Sequence, residues 1–241
     1  MPDKDKFTAL SGMVEEMKTE QSGEYVAGFF AADIAIGLVW YCLDPNATAI
    51  TGSGSGPSTD KPVYRAPSWS WARHDSPISF KVVNHLTQLR LEHIRLKKDG
   101  NFNHGAKVIS ATAEPVDARL PTGPIRSARV TLLTYTAKVI WDWDTQNQRR
   151  PQRFRFPDLD ITEKLDVAGV LDSLGDSVEG ALALLLVQMH QGSPLNLDAG
   201  LIVRLAQSGS SEYERIGCWW CNPPGVAVEM KKTAATEMTL I

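Results

Sequence analysis

Cys218-Trp219-Trp220-Cys221 has the spacing of a thiol-exchange motif. Such a motif works when a helix N-terminus lowers the pKa of one thiol. Here the run follows Arg215-Ile216-Gly217 inside an expected strand, where residues three apart project to opposite faces. A structural zinc site needs a second pair of ligands. Cys42 and five scattered histidines (His74, His85, His93, His104 and His190) offer no such spacing. The expectation is core cysteines beside core tryptophans, with intact thiols and no metal. Ser70, His74 and Asp75 are the residue types of a nucleophile, base and orienter. On one short strand and turn they lie too close in sequence to meet in that geometry.

Carboxylates recur two apart at Asp142/Asp144, Asp158/Asp160 and Glu212/Glu214. Glycoside hydrolysis needs a pair held about 5–10 Å apart across a cleft. The alternation of Asp142 and Asp144 with Trp141 and Trp143 reads more simply as one wet and one dry strand face. Arg149, Arg150, Arg153 and Arg155 interleave with Phe154 and Phe156, a pattern on which single-stranded nucleic acid can stack. Pro151 and Pro157 bracket that run, which reads as a solvated loop. "GSGSGPSTDK" has Pro57 and Asp60 where a phosphate loop needs Gly-Lys-Ser/Thr opening a helix. Gly54 stands where a Gly-x-Ser-x-Gly elbow would place its nucleophile. No residue is assigned a catalytic, cofactor-binding or metal-binding role.

The 241 residues suit one large or two small domains, and 43% hydrophobic with 22% charged residues is ordinary for a globular chain. A net charge of −3 supplies no field that gathers nucleic acid or anionic membrane. Three cysteines are too few for a secreted disulfide framework, and the polar start Met-Pro-Asp-Lys-Asp-Lys has no signal-peptide core after it. A cytoplasmic location is expected. Tyr25 to Leu43 is long enough to span a membrane, yet Asp33 sits near its centre and Gly28 and Gly37 interrupt it. A buried helix, turn and strand is the expectation there.

Phe7, Leu10, Val14 and Met17 recur at helical steps, predicting an amphipathic helix over 5–20 with Gly23 as its stop. A second short helix is expected over 24–32 and a buried strand over 34–43. Asp44 to Pro62 reads as a Gly/Ser-rich loop. Strands follow over 82–96, 108–114, 128–143, 181–189, 200–206 and 213–220, with a hairpin loop at 206–211. In the longest, Thr131, Leu133, Tyr135, Ala137, Val139, Trp141 and Trp143 are expected on one face. Residues 162–174 read as a short helix or an irregular insertion. The fold class is α+β: short N-terminal helices (1–43, packed on the rest), the loop 44–62, and a β-rich, barrel- or sandwich-like domain over 63–241.

The hub of that domain is expected at Tyr64-Arg65-Ala66-Pro67-Ser68-Trp69-Ser70-Trp71-Ala72. Read as a strand opened by Pro67, it puts both indoles on one face and Ser68, Ser70 and Ala72 on a thin opposite one. An indole buries about 150–250 Å², so Trp69 and Trp71 mark a core. Arg65, a charge amid a core motif, calls for a buried acceptor.

"YRAPSWSWA" resembles the segment just downstream of the HET domain in fungal heterokaryon-incompatibility proteins. Further stretches are similar in the same order: "DKFTALSGM" (5–13), "EYVAG" (24–28), "GLVWY" (37–41), "GLIV" (200–203) and "EYERIG" (212–217). The chain departs from the family in "FFAADIAIG", where more charge and a proline are usual, and in Asp75-Ser76, where Asp-Gly is common. The HET domain itself, the family's effector, precedes these islands and has no counterpart here. The resemblance implies a non-catalytic C-terminal region that acts in self/non-self recognition and cell-death signalling. It implies contact with another protein, or with an effector domain lost upstream; charge and residue spacing, for their part, point to no nucleic acid, membrane, metal or cofactor. The motif residues Tyr64, Arg65, Pro67, Trp69, Trp71, Tyr213 and Arg215 are then structural. A small-molecule-binding β-barrel and an unrecognised hydrolase are the alternatives.

Overall fold

A computed structural model describes residues 6–44, 64–80, 102–141, 152–161, 165–173, 176–189, 197–207, 209–222 and 224–241. The helix α1 (Lys6–Met17) forms where its periodicity predicts and buries Phe7 and Val14, while Met13 and Met17 stay exposed. Gly23 follows at φ 70°.

The next stretch departs from expectation. In place of a second helix, β1 (Tyr25–Val26) and β2 (Phe29–Phe30) pair as a tight antiparallel hairpin. Its two turn residues, Ala27 and Gly28, take φ of 47° and 106°. Such angles suit glycine, and a Cβ on Gly28 would lie 2.6 Å from the Trp71 indole nitrogen. A 3-10 turn over Ala31–Asp33 leads into α2 (Ile34–Gly37), and only β3 (Tyr41–Cys42) of the expected strand over 34–43 is extended. The β-branched and aromatic residues there report burial from all sides rather than extension, since Ile34, Leu38, Val39 and Trp40 have no exposed surface. Among the described residues no helix is long and apolar enough to cross a membrane. β4 (Ile78–Ser79) pairs with β3. The expected loop lies outside the described residues from position 45, as does the strand over 82–96.

The rest is β-rich. β5 (Phe102–His104), β6 (Ala106–Pro115), β7 (Ile125–Thr134), β8 (Thr136–Lys138) and β9 (Ile140–Trp141) come first. β10 (Gln152–Arg155) and β11 (Val167–Leu171) follow, so 167–171 is a strand and not a helix or irregular insertion. β12 (Leu182–Met189), β13 (Asp198–Leu205) and β14 (Glu212–Cys221) form an antiparallel trio. A short helix α3 (Val226–Met230) and a last strand β15 (Thr236–Leu240) close the chain; neither was read from the sequence. Eleven of these strands make one hydrogen-bonded sheet.

That sheet divides at its ends. One end of β12 pairs with β8 and the other with β5. β14 pairs with β15 through Glu212 and Tyr213, and with β11 through Gly217 to Cys221. Two cores result, on opposite faces of the central trio. Cys218 and Trp220 turn to the first, with Leu184, Leu201, Trp40 and Trp69. Trp219 and Cys221 turn to the second, with Leu185, Ile202, Phe154 and Phe156. The period-2 alternation expected of the Cys-Trp-Trp-Cys run therefore holds, and each cysteine occupies a different core.

The single face proposed for the long strand does not hold. Ala128, Val130, Leu132 and Thr134 are buried in its first half, and Ala137 and Val139 in its second. The parity changes at Tyr135, whose carbonyl accepts the Leu185 N–H at 3.0 Å, because β7 serves the first core and β8 the second. Trp143 lies outside the described residues.

At the crossing of the trio, Gly200 lets Trp219 reach across β13. The indole N–H of Trp219 donates to the Leu184 carbonyl at 3.2 Å, and a Cβ on Gly200 would sit 1.7 Å from that same oxygen. Gly200→Ala is therefore expected to destabilise the protein by about 1–3 kcal/mol or more. Urea unfolding checks this; an unchanged midpoint would remove the close approach from the account.

Candidate functional site

The tryptophan motif is not a strand. Pro67 to Ser70 close a turn, with the Ser70 N–H on the Pro67 carbonyl at 3.0 Å, and Trp71–Arg73 form a 3-10 turn. The Ser70 hydroxyl is the reason the chain coils here. It accepts the Ala72 N–H at 3.1 Å as a cap and donates to the Ala27 carbonyl at 2.7 Å. Ser68 and Ser70 thus line no thin face; both hydroxyls are buried and engaged with backbone. Trp69 has no exposed surface and Trp71 is half-buried, and both pack on the first core. Trp69 is thus buried as expected and Trp71 only in part, and a turn rather than a pleat brings both to the core. Trp71 donates its indole N–H to the Gly28 carbonyl at 3.1 Å.

Arg215 lies at the centre of this region with its side chain wholly buried. Its guanidinium carbon sits 3.3 Å above the Trp40 ring. Its Nη2 donates to the Trp40 carbonyl and to Asp172 Oδ1, the latter at 3.0 Å. Trp40 in turn donates its indole N–H to the Trp69 carbonyl at 3.2 Å, and its ring meets the His74 ring edge-on at 5.2 Å between centroids. The Arg215 N–H donates to Ser68 Oγ at 2.9 Å, and that hydroxyl donates to the Ile241 carbonyl. Ile241 returns its N–H to the Tyr213 carbonyl at 3.0 Å.

Around this knot runs a charged rim. Arg65 pairs with Asp75 at 2.8 Å, which answers the expectation of an acceptor, although Asp75 is partly exposed and not buried. Lys6, from α1, reaches Asp75 at 3.6 Å and donates to the His74 carbonyl. Burial works against ionisation of Asp75, but the hydrogen bond and charge of Arg65, and then Lys6, hold its carboxyl below the usual range. His74 is 3% exposed. Burial, then the charges of Arg215, Arg73 and Lys6, push its imidazole down to about 3, against a weaker pull from Asp75. It is neutral at pH 7. Desolvation pushes the Tyr64 phenol up to about 12, against the pull of the Ala128 backbone and of Arg73 and Arg129.

The other sequence candidates separate. The Cys218 and Cys221 thiols are pushed up to about 12, chiefly by burial, so neither is a thiolate at neutral pH. Glu212 pairs with Arg129 at 2.8 Å and Glu214 with Arg204 at 3.6 Å. Phe154 and Phe156 are buried in the second core, so they present no stacking platform, and the run is a strand where a solvated loop was expected. Arg149, Arg150, Asp142, Asp144, His85, His93 and His190 lie outside the described residues. Among the described residues no three His, Cys, Asp or Glu side chains are grouped to hold a metal ion.

Asp198, fully buried at the start of β13, accepts the N–H groups of Gly225 at 2.7 Å and Ala227 at 2.8 Å and ties α3 to the sheet. Burial raises its carboxyl pKa despite those amides. Sequence reading missed Trp40 and Asp172 as partners of Arg215, because nothing local marks contacts between residues 175 and 43 apart.

Comparison of the chain with protein-family models, with curated proteins and with solved structures finds no match.

Removing Asp172 leaves a buried guanidinium without its carboxylate, so Asp172→Ala is expected to cost about 3–5 kcal/mol in urea unfolding. Trp69→Ala should cost about 3–5 kcal/mol as well, through the lost core volume. His74 adds a pH dependence. Between pH 6.5 and about 3 the unfolded chain binds a proton that the native ring refuses, so stability falls as pH falls through that window. The loss is at most about 5 kcal/mol at roughly 1.4 kcal/mol per unit. His74→Gln should flatten this slope, measured by unfolding from pH 7 to 4.

Proposed function

We propose that the chain is a non-catalytic recognition region of the heterokaryon-incompatibility type, acting in the cytoplasm by contact with another protein, a HET effector domain foremost. The observation that carries the reading is spatial. The separate stretches that resemble the family meet in one knot. Ala27 and Gly28 of "EYVAG" accept bonds from Ser70 and Trp71 of the tryptophan motif. Trp40 of "GLVWY" is held by Trp69 and by Arg215 of "EYERIG". Residues scattered over nearly two hundred positions are thus joined as one structural unit, and this common packing supports reading the stretches together.

The polar groups with catalytic potential are engaged in holding this unit together. The Ser70 hydroxyl caps a turn and grips Ala27, and Arg215 anchors Trp40 and Asp172. These roles support the non-catalytic reading. The finer architectural proposal is a pair of barrel-like enclosures sharing β12, β13 and β14. Its support is the ladder, in which β5 and β6 follow one another and pair with β12 and β7, while β15 links β7 to β14.

The test is co-expression with a HET effector domain in a filamentous fungus, scored by dye uptake in dying cells, alongside calorimetric titration of the two purified proteins. The wild-type chain is expected to alter the death response and to bind, and Trp69→Ala to lose both. Absence of binding together with an unaltered death response would reject the reading.

A further inference from the structure

β6 is an edge of the large sheet. Its ten residues pair with β7 along one side, and among the described residues no other strand pairs with it. In an antiparallel ladder every second residue turns its backbone N–H and C=O away from the partner strand. The open side of β6 therefore carries a row of such groups, a template for a further strand. Edges of this kind are commonly blunted by lysine or proline. From Val108 to Ala113 this one holds neither.

The side chains along β6 complement their own reversed order. Val108, Ala111 and Ala113 pack against the first core, while Lys107, Ser110, Thr112 and Glu114 are exposed on the other face. The bulge between Val108 and Ser110 leaves Ile109 as the extra residue, 44% exposed. A second β6 laid antiparallel, Ala111 opposite Ala111, then sets Ser110 against Thr112, Val108 against Ala113 and Lys107 against Glu114. Each pair matches face with face, and by symmetry each occurs twice. Hydroxyls and opposite charges directly across from one another favour pairing. A slip of one residue sets core-facing side chains against exposed ones. A parallel arrangement in register sets Lys107 against Lys107. Glu114 meets Arg126 at 3.5 Å with both side chains 60% exposed, and so loose a surface pair leaves the carboxylate open to a second cation.

We infer that two copies of this chain associate through β6, edge to edge and antiparallel, so that the sheet of one continues into the other. The two-fold axis passes beside Ala111, and the assembly closes as a dimer because each copy uses the same edge. The inference rests on β6 alone and is independent of the heterokaryon-incompatibility reading.

Sedimentation equilibrium of the full chain over a range of concentrations tests it, together with zero-length carbodiimide cross-linking. The wild-type chain should populate a dimer as concentration rises. Digestion of the cross-linked dimer should release a peptide that joins Lys107 to Glu114. Within one copy these two lie roughly 20 Å apart along the strand, at about 3.3 Å per residue, too far for such a link. Lys107→Glu and Glu114→Lys each set like charges opposite one another and should raise the dimer Kd about tenfold. The double substitution exchanges the charges and should restore the wild-type Kd. A chain that stays monomeric at every concentration overturns the inference. So does a dimer without the Lys107–Glu114 link, one that neither single substitution weakens, or a double substitution no tighter than the singles. Urea unfolding of each variant separates lost pairing from lost folding, and the wild-type cross-link decides without any variant.

Discussion

Arg215 sets the terms for the rest of the molecule. A guanidinium without exposed surface is tolerable only when its charge and donors are answered nearby. Asp172 answers the charge, the Trp40 carbonyl takes a donor and the Trp40 ring lies beneath the cation. Those partners come from three distant parts of the chain. Each must be delivered by its own element: Asp172 from the end of β11, Trp40 from the segment before β3, Arg215 from the middle of β14. The fold cannot move one without stranding the others.

The same strand that carries Arg215 divides the molecule. Along β14 the side chains alternate between two cores, so Cys218 and Trp220 stabilise one and Trp219 and Cys221 the other. A sheet apolar on both faces needs cover on both faces. The chain supplies that cover by letting β7 run on through Tyr135 into β8, passing from the first core to the second. Gly200 permits the central trio to be crossed by the Trp219 indole, which ties the layers to one another as well as to their own cores.

This arrangement explains why residues with reactive side chains are quiet. Cys218 and Cys221 are silenced by burial, Ser70 by two backbone contacts, and Asp198 by the amides that open α3.

The amino-acid sequence by itself determined the elements whose periodicity is local. Residue spacing marks α1, the strands β6 and β12 to β14, the burial of Trp69, and the opposite facing of Cys218 and Cys221. It misread segments where burial on all sides imitates a strand, as from Ile34 to Cys42, and where a serine cap coils a run that alternates, as at Ser70 to Arg73. Tertiary structure alone decided that Asp172 meets Arg215 and that Trp40 lies beneath it. The physical reason is register. Spacing along the chain fixes which face a side chain takes, but the pairing of Leu171 with Gly217 across β11 and β14 fixes which distant residue it finds there.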